Sequence, residues 1–356
     1  MRVAVDCHMV ASRAPGDAGN GRYAASLTRA LAQTAQADDE VAALVTRPGA
    51  LAQIGPDIRG VHVPESNVRR LGVSAANALG HVDAEAAVFT YVAPRRPGCR
   101  IALAIHDPTF LTNPEWLGRR ARWVLGGLTP TAARAADVVL ALSETAKRDL
   151  CAALGLADEH VAVVSPAPAS VFTPDDDADA RVRERHGLDR FVLSVGDIGP
   201  RKNLGALVEA MDRIGDPGLE LVLAGRAARE ATAVVSDPRV HWLGPVEDDA
   251  LADLYRAAAV VVHPARYEGF GLTVLEALAC GSPVVVSDRG ALPEVVGDAA
   301  IVVAPETDAL AEGIAAALEP VEAERLRAAG PVRAGAFTVE RMGEAAWRAL
   351  GRGGRP

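Results

Sequence analysis

The sequence predicts an α/β fold of two doubly wound, Rossmann-like domains with a ligand-binding cleft between them. Three observations lead there. Short β-branched runs alternate with Ala/Leu-rich amphipathic stretches, the pattern of a parallel sheet covered by helices. That pattern is interrupted by a run of Pro and acidic residues and then begins again. The chain is also 356 residues long, more than one hydrophobic core usually supports.

In the first series, strands are expected at Val3–Asp6, Val41–Val45, Ala87–Thr90, Arg100–Ile105, Val138–Leu142 and Val161–Val164. Ligands of such sheets gather at the carboxyl ends of the strands, so residues directly after strands are the candidates for chemistry. After the first strand comes Gly16-Asp17-Ala18-Gly19-Asn20-Gly21-Arg22-Tyr23, read as a glycine-rich loop before a helix over Tyr23–Ala32. Its glycine order, G-x-x-G-x-G, reverses the dinucleotide fingerprint, and the gap from Asp6 is too long for that motif's tight turn, which disfavours a nicotinamide enzyme. Gly19 and Gly21 are expected to bring the backbone close to a donor phosphate or an acceptor; a merely flexible loop is the rival reading. His106 and Asp107 end the Arg100–Ile105 strand. A lone histidine is more often structural than catalytic, the reading for His8, His81, His186 and His241. His106 is singled out by its strand-end position and by Asp107, a neighbour able to orient the ring.

The junction is Ser165-Pro166-Ala167-Pro168 followed by Phe172-Thr173-Pro174-Asp175-Asp176-Asp177, which can continue neither strand nor helix. It sets the domains at 1–172 and 173–337. After a break at Gly330-Pro331, the amphipathic stretch Thr338–Leu350 predicts one more helix, so that 338–356 packs back on the first domain.

The second series predicts strands at Phe191–Val195, Leu219–Leu223, Val240–Leu243, Val260–Val262, Val284–Val286 and Ile301–Val303. After the first of these, Gly196-Asp197-Ile198-Gly199-Pro200-Arg201-Lys202-Asn203 combines a glycine-rich turn at Gly196 with two adjacent cations. Arg201 and Lys202 offer several donors to a leaving diphosphate; two solvated surface cations are the alternative. After Val260–Val262 comes His263-Pro264-Ala265-Arg266-Tyr267-Glu268-Gly269-Phe270-Gly271-Leu272-Thr273-Val274-Leu275-Glu276, with its two carboxylates eight positions apart. Gly269 and Gly271, flanking Phe270, open the backbone to a ligand. Leu272–Cys280 has helical composition and stops at Gly281-Ser282-Pro283. The free N–H groups near Leu272 and Thr273 and the positive end of the helix dipole suit a diphosphate. Glu276, about one turn in, can accept both hydroxyls of a ribose, and Glu268 can accept hydroxyls of a sugar. The alternative is a helix-surface acid and a solvated loop acid; the position after a buried strand favours function.

Composition narrows the partners. Apolar residues make up 49% and charged residues 23%, as in globular proteins. A net charge of −9 disfavours nucleic acid, whose phosphate backbone needs clustered Lys and Arg. Arg95-Arg96 and Arg119-Arg120 with Arg122 are candidates for peripheral contact with an anionic membrane surface, against the plainer reading of solvated faces. Cys7, Cys99, Cys151 and Cys280 are far apart and form no C-x-x-C pair, so neither a zinc site nor a disulfide framework is expected and a reducing cytoplasm fits. The N-terminus reads as a strand, with no signal peptide and no spanning segment. A cytoplasmic protein follows, with a place at the inner membrane surface left open. Oligomeric state is not encoded in any motif.

Together the Glu268/Glu276 segment, the Arg201-Lys202 turn, the glycine-rich stretch and His106-Asp107 resemble the retaining glycosyltransferases of family 4, which have the GT-B architecture. The resemblance spans nearly the whole chain. Its most specific part is Tyr267-Glu268-Gly269-Phe270-Gly271-Leu272 through Glu276, then Ala277–Pro283 and Gly290-Ala291-Leu292-Pro293-Glu294-Val295-Val296. Leu243-Gly244-Pro245-Val246 with Leu251 and Leu254-Tyr255, Leu223-Ala224-Gly225, and Ser143-Glu144-Thr145 also match. The resemblance implies Arg226, Val246 and Leu254 near the nucleotide base, Arg201 and Lys202 on the diphosphate, Glu276 on the ribose, Glu268 on the donor sugar and His106 near the reacting carbon. It also implies a retaining, hexosyl-transferring enzyme with a nucleotide-sugar donor and a glycan, lipid-linked or small-molecule acceptor. Asn20-Gly21-Arg22-Tyr23 with His106-Asp107 is similar to mannosyl and rhamnosyl relatives and tilts the donor toward GDP-mannose, with UDP-hexoses open. Ser165–Pro168 departs from the Asn-Gly turn many relatives carry. No Asp-x-Asp stands where it would hold a metal, since Asp175-Asp176-Asp177 lies in the linker, so no cofactor and no metal are expected. A nucleotide-sugar epimerase on the same fold and a catalytically inactive sugar-nucleotide-binding homologue are the alternatives.

Overall fold

The computed structural model describes residues 1–12, 17–47, 49–55, 57–94, 98–227 and 232–352. The chain divides into two compact units: Met1–Ala167 with Thr338–Pro356, and Pro168–Phe337. Gly16, Arg95 and Arg96, to which the sequence reading gave parts, lie outside the described residues.

In the first unit the described strands are β1 (Arg2–Asp6), β2 (Glu40–Val45), β3 (Arg59–His62), β4 (Ala86–Thr90), β5 (Arg100–Ala104), β6 (Val138–Ala141) and β7 (Val161–Val163). They form one parallel sheet in the order β3-β2-β1-β4-β5-β6-β7. Six correspond to the expected runs. The seventh, β3, reads Arg-Gly-Val-His, lies at the sheet edge and is largely exposed, so it carries no apolar run. Central strands buried on both faces need continuous apolar sequence, as Val-Val-Leu-Ala of β6 shows. The C-terminal helix Val339–Ala349 lies on the helix Asp17–Gln33: Trp347 is fully buried and its indole N–H donates to the Leu31 carbonyl at 3.1 Å.

Two expectations for this unit are corrected. Gly19 and Gly21 sit within the helix Asp17–Gln33, not in a loop preceding a helix at Tyr23. Gly21 makes this possible because the helix passes so close to the preceding turn that a Cβ there would lie 2.6 Å from the Met9 carbonyl oxygen. The unit boundary falls at 167/168 and not at 172/173. The Phe172 ring stands edge-on to Tyr255 with centroids 5.9 Å apart, and the Arg256 guanidinium donates to the carbonyls of Val171 at 2.7 Å and Thr173 at 2.6 Å, which ties this stretch to the second unit.

The second unit carries β8 (Phe191–Val195), β9 (Glu220–Ala224), β10 (Val240–Gly244), β11 (Val260–His263), β12 (Val284–Ser287) and β13 (Ile301–Val303), parallel and in the order β10-β9-β8-β11-β12-β13. Its core joins Val192, Leu221, Val260, Val262 and Val285 of the sheet to Leu207 of one covering helix and Leu310 and Ile314 of another. The strand order reverses between β8 and β11. Carboxyl-end loops diverge at such a point and leave a crevice.

Candidate functional site

The loops at the reversal point carry the two most chemical stretches of the sequence. After β8 the chain turns at Gly196 and enters a 3₁₀ turn, Pro200–Lys202. After β11 it runs from Pro264 to Gly271 and enters the helix Leu272–Ala279. Gly225, after β9, has φ +139° and lies against the neighbouring turn so closely that a side chain would collide with the Gly196 carbonyl. The Ile198 N–H donates to the Arg226 carbonyl at 2.7 Å, so the Gly196 and Arg226 turns run side by side.

Backbone and side-chain bonds then lock the β8 loop to the β11 loop. The Arg266 N–H donates to the Arg201 carbonyl at 2.9 Å, the Arg266 guanidinium to Asn203 Oδ1 at 3.1 Å, and the Arg201 guanidinium to the Tyr267 carbonyl at 3.0 Å. The result is a cluster on one carboxylate oxygen. Glu268 Oε2 lies 2.8 Å from Lys202 Nζ, 2.9 Å from Arg201 Nη1 and 3.0 Å from His263 Nε2, with 3.2 Å between Lys202 Nζ and His263 Nε2.

Burial and charge oppose each other in this cluster. Burial raises the Glu268 carboxyl, but the charges of Arg201 and Lys202 outweigh it and hold the group well below the usual carboxylate range. Burial lowers the Lys202 ammonium against the opposing pull of Glu268. For His263, burial and then the Lys202 charge bring the ring down to about 4, so it is neutral at pH 7. Two cations thus share one carboxylate, leaving net positive charge.

The helix Leu272–Ala279 begins nearby. Gly271 precedes it at φ +98°, and its carbonyl accepts from the N–H groups of Val274 and Leu275 at 2.9 and 3.1 Å. Helical geometry leaves the Leu272 and Thr273 N–H groups without a carbonyl inside the helix, and both residues are half-buried. Phe270 is buried edge-on against Phe337 at 5.5 Å, with Gly269 buried beside it. Glu276 is only 2% exposed, and its carboxylate accepts from the Tyr255 hydroxyl at 3.3 Å. Val246, after β10, is half-buried. Leu254 belongs to the apolar face of the helix Asp248–Ala257 and is 0% exposed, so it serves as core and presents no surface to a base.

His106 belongs to the other unit, and its assignment to the sugar rests on the resemblance. Its ring lies edge-on to Tyr23 at 4.9 Å and tilted to Tyr91 at 5.9 Å. The Asp107 carboxylate accepts from the Thr109 N–H at 2.9 Å and from the Thr109 hydroxyl, shaping the following turn. Gly19 and Gly21 are helical, as described above.

Sequence reasoning missed two groups. His263 stands in the quoted motif but had no part; the signal was a histidine closing a run of three valines, a polar ring at the end of a buried strand. Asp6, the last residue of β1, is buried with Arg70, whose guanidinium bonds it and also donates to Asn67 Oδ1 at 2.9 Å, while His8 Nδ1 lies 3.1 Å from Asp6 Oδ2. Among the described residues, no group of three or more His, Cys, Asp or Glu side chains stands where it could hold a metal ion.

Comparison with known proteins gives a concordant picture. Residues 175–331 match the family described as "Glycosyl transferases group 1". The chain is 30% identical over 333 residues to a D-inositol 3-phosphate glycosyltransferase of Xylanimonas cellulosilytica, covering 80% of this chain and 78% of that protein. It is 30% identical over 238 residues to O-antigen chain mannosyltransferase B of Escherichia coli, covering 62% of this chain and spanning 61% of the relative's length. Sucrose-phosphate synthase from Thermosynechococcus elongatus has the same fold, with a TM-score of 0.78 at 22% identity over 98% of both chains. The fold is therefore GT-B, two Rossmann-like units with parallel sheets.

Proposed function

The chain belongs to the group 1 glycosyl transferases, and from that premise we propose that it moves a hexosyl group, mannose foremost, from a nucleotide-diphosphate donor to a glycan, lipid-linked or small-molecule acceptor. The observation that carries this reading is the gathering of Arg201 and Lys202 on one carboxylate oxygen of Glu268, where the second sheet reverses its strand order. Arg201, Lys202 and the N–H groups of Leu272 and Thr273 take the diphosphate. Glu276, oriented by the Tyr255 hydroxyl, takes the ribose, Arg226 and Val246 flank the base, and Glu268 takes hydroxyls of the sugar. Acceptor recognition is assigned to the first unit. The name of the E. coli mannosyltransferase relative supports mannose.

Transfer with retention follows from a front-face substitution. The bond from the anomeric carbon to the diphosphate oxygen breaks while the acceptor oxygen bonds to that carbon on the same face. The acceptor's proton passes to the departing diphosphate oxygen, whose charge Arg201, Lys202 and the helix start stabilise. Glu268 serves in this proposal as an acceptor for sugar hydroxyls and not as a nucleophile. The reaction is metal-independent in this proposal, because two cations and a helix start supply the positive charge. Peripheral contact with anionic lipid is supported by the start of the helix Arg119–Ala135, where Arg119, Arg120 and Arg122 are exposed beside Trp123, 79% exposed. No helix among the described residues is long and apolar enough to cross a membrane.

A thermal-shift panel of GDP- and UDP-sugars, with excess chelator in parallel, tests the reading. A donor that raises the melting temperature with concentration and is undiminished by chelator is expected; no shift with any nucleotide sugar contradicts it.

A further inference from the structure

We infer that His263 is a positioning residue whose ring nitrogen Nε2 keeps the Glu268 carboxylate aimed when the two cations turn from it to the donor's diphosphate. The inference rests on the donor-site reading above and adds a residue to it.

The geometry is a closed triangle. Nε2 lies 3.0 Å from Glu268 Oε2 and 3.2 Å from Lys202 Nζ, which are themselves 2.8 Å apart. His263 is 2% exposed, and the pairing of its backbone with Val286 fixes where the ring starts. Lys202 is equally constrained, its stem running past the Gly196 Cα, where a Cβ would come within 3.2 Å of Cε. A neutral imidazole nitrogen has either a proton to donate or a lone pair to offer, never both. With Nδ1 protonated, Nε2 accepts from Lys202; with Nε2 protonated, it donates to Glu268.

A diphosphate carries far more charge than one carboxylate, so it draws the donors of Arg201 and Lys202. Glu268, with only 14% of its side chain exposed, would then lose both charged partners, and an unpartnered buried carboxylate is costly. His263 Nε2–H is a third donor that stays behind, because the ring is buried at the end of a paired strand and carries no full charge to be drawn to the phosphate. The carboxylate therefore stays oriented for sugar hydroxyls in the donor-bound state.

The test measures binding, so no acceptor is needed. Dissociation constants for GDP, GDP-mannose, UDP and UDP-glucose are determined by calorimetry for wild type, His263→Ala and His263→Gln. The nucleotides should bind all three proteins within about threefold, since His263 does not touch the diphosphate. The gain in affinity that the sugar adds should fall by about tenfold in His263→Ala and return in His263→Gln, whose amide nitrogen can replace Nε2. An unchanged sugar gain in His263→Ala, or a loss of nucleotide affinity equal to the loss of sugar gain, overturns the inference and leaves the donor site standing. A wild type that binds neither nucleotide overturns the donor site itself, and one whose sugar adds nothing overturns the role of Glu268 and with it that of His263. If His263→Ala does not fold, ring ¹⁵N shifts in the wild type decide: with nucleotide bound, a neutral ring carrying its proton on Nε2 is expected, and a proton on Nδ1 alone contradicts.

Discussion

Lys202 Nζ lies 2.8 Å from Glu268 Oε2, joining the turn after β8 to the loop after β11 across the point where the sheet order reverses. Removing the ammonium therefore has two consequences. Lys202→Ala should lower kcat by about 10²-fold or more, as loss of a transition-state donor does, and should weaken GDP or UDP binding. Steady-state kinetics with wild-type kcat would remove Lys202 from the reaction.

Glu268→Gln separates the carboxylate from the cations. It leaves Arg201 and Lys202 without their anion, so nucleotide affinity should hold or rise while turnover of the nucleotide sugar falls by about 10²-fold. Calorimetry beside a turnover assay checks both halves; weakened nucleotide binding with normal turnover would reverse the assignment.

Acid should destabilise the second unit in a defined window. The His263 ring titrates at about 4 when folded and at the ordinary 6.5 when unfolded. Between those values the unfolded chain binds the extra proton, so stability falls as pH drops from 6.5 toward 4, by on the order of 3 kcal/mol. Glu268 adds to the loss below its ordinary 4.5, because its folded carboxyl is held lower still. Urea unfolding at pH 7 and pH 4.5 measures the slope, and His263→Gln should flatten the upper part. Equal slopes in the two proteins would contradict a buried neutral ring.

In the first unit, Asp6 and Arg70 have side chains only 1% and 3% exposed. Burial raises the Asp6 carboxyl, yet His8 and Arg70 together hold it below the ordinary value. Asp6→Asn leaves the guanidinium buried without its counter-charge and should cost about 3–5 kcal/mol. Denaturant midpoints decide it; a loss under about 1 kcal/mol, the size of a surface pair, would show that the pair is dispensable.

What the sequence disclosed follows from burial. Runs such as Val260–Val262 and Val284–Val286 are legible because strands covered on both faces exclude polar residues, and the loop after each such run is where chemistry had to be sought. β3 is illegible for the converse reason, being a four-residue edge strand with little to bury. The glycine at 21 misleads because glycine signals a loop by its flexibility but is also used in helices where backbones press together, as here against Met9. Leu254 shows that a motif position can be core. His263 escaped because, although Glu268 is only five residues on, the lysine that completes the cluster comes from 61 residues away and meets it only in three dimensions.

A structure determined with GDP-mannose or UDP-glucose bound shows where the diphosphate sits. The diphosphate is expected against Lys202 Nζ, the Arg201 guanidinium and the Leu272 and Thr273 amides, with Glu268 released to the sugar and still bonded to His263. A nucleotide seated elsewhere, with the Lys202–Glu268 pair intact, would contradict it.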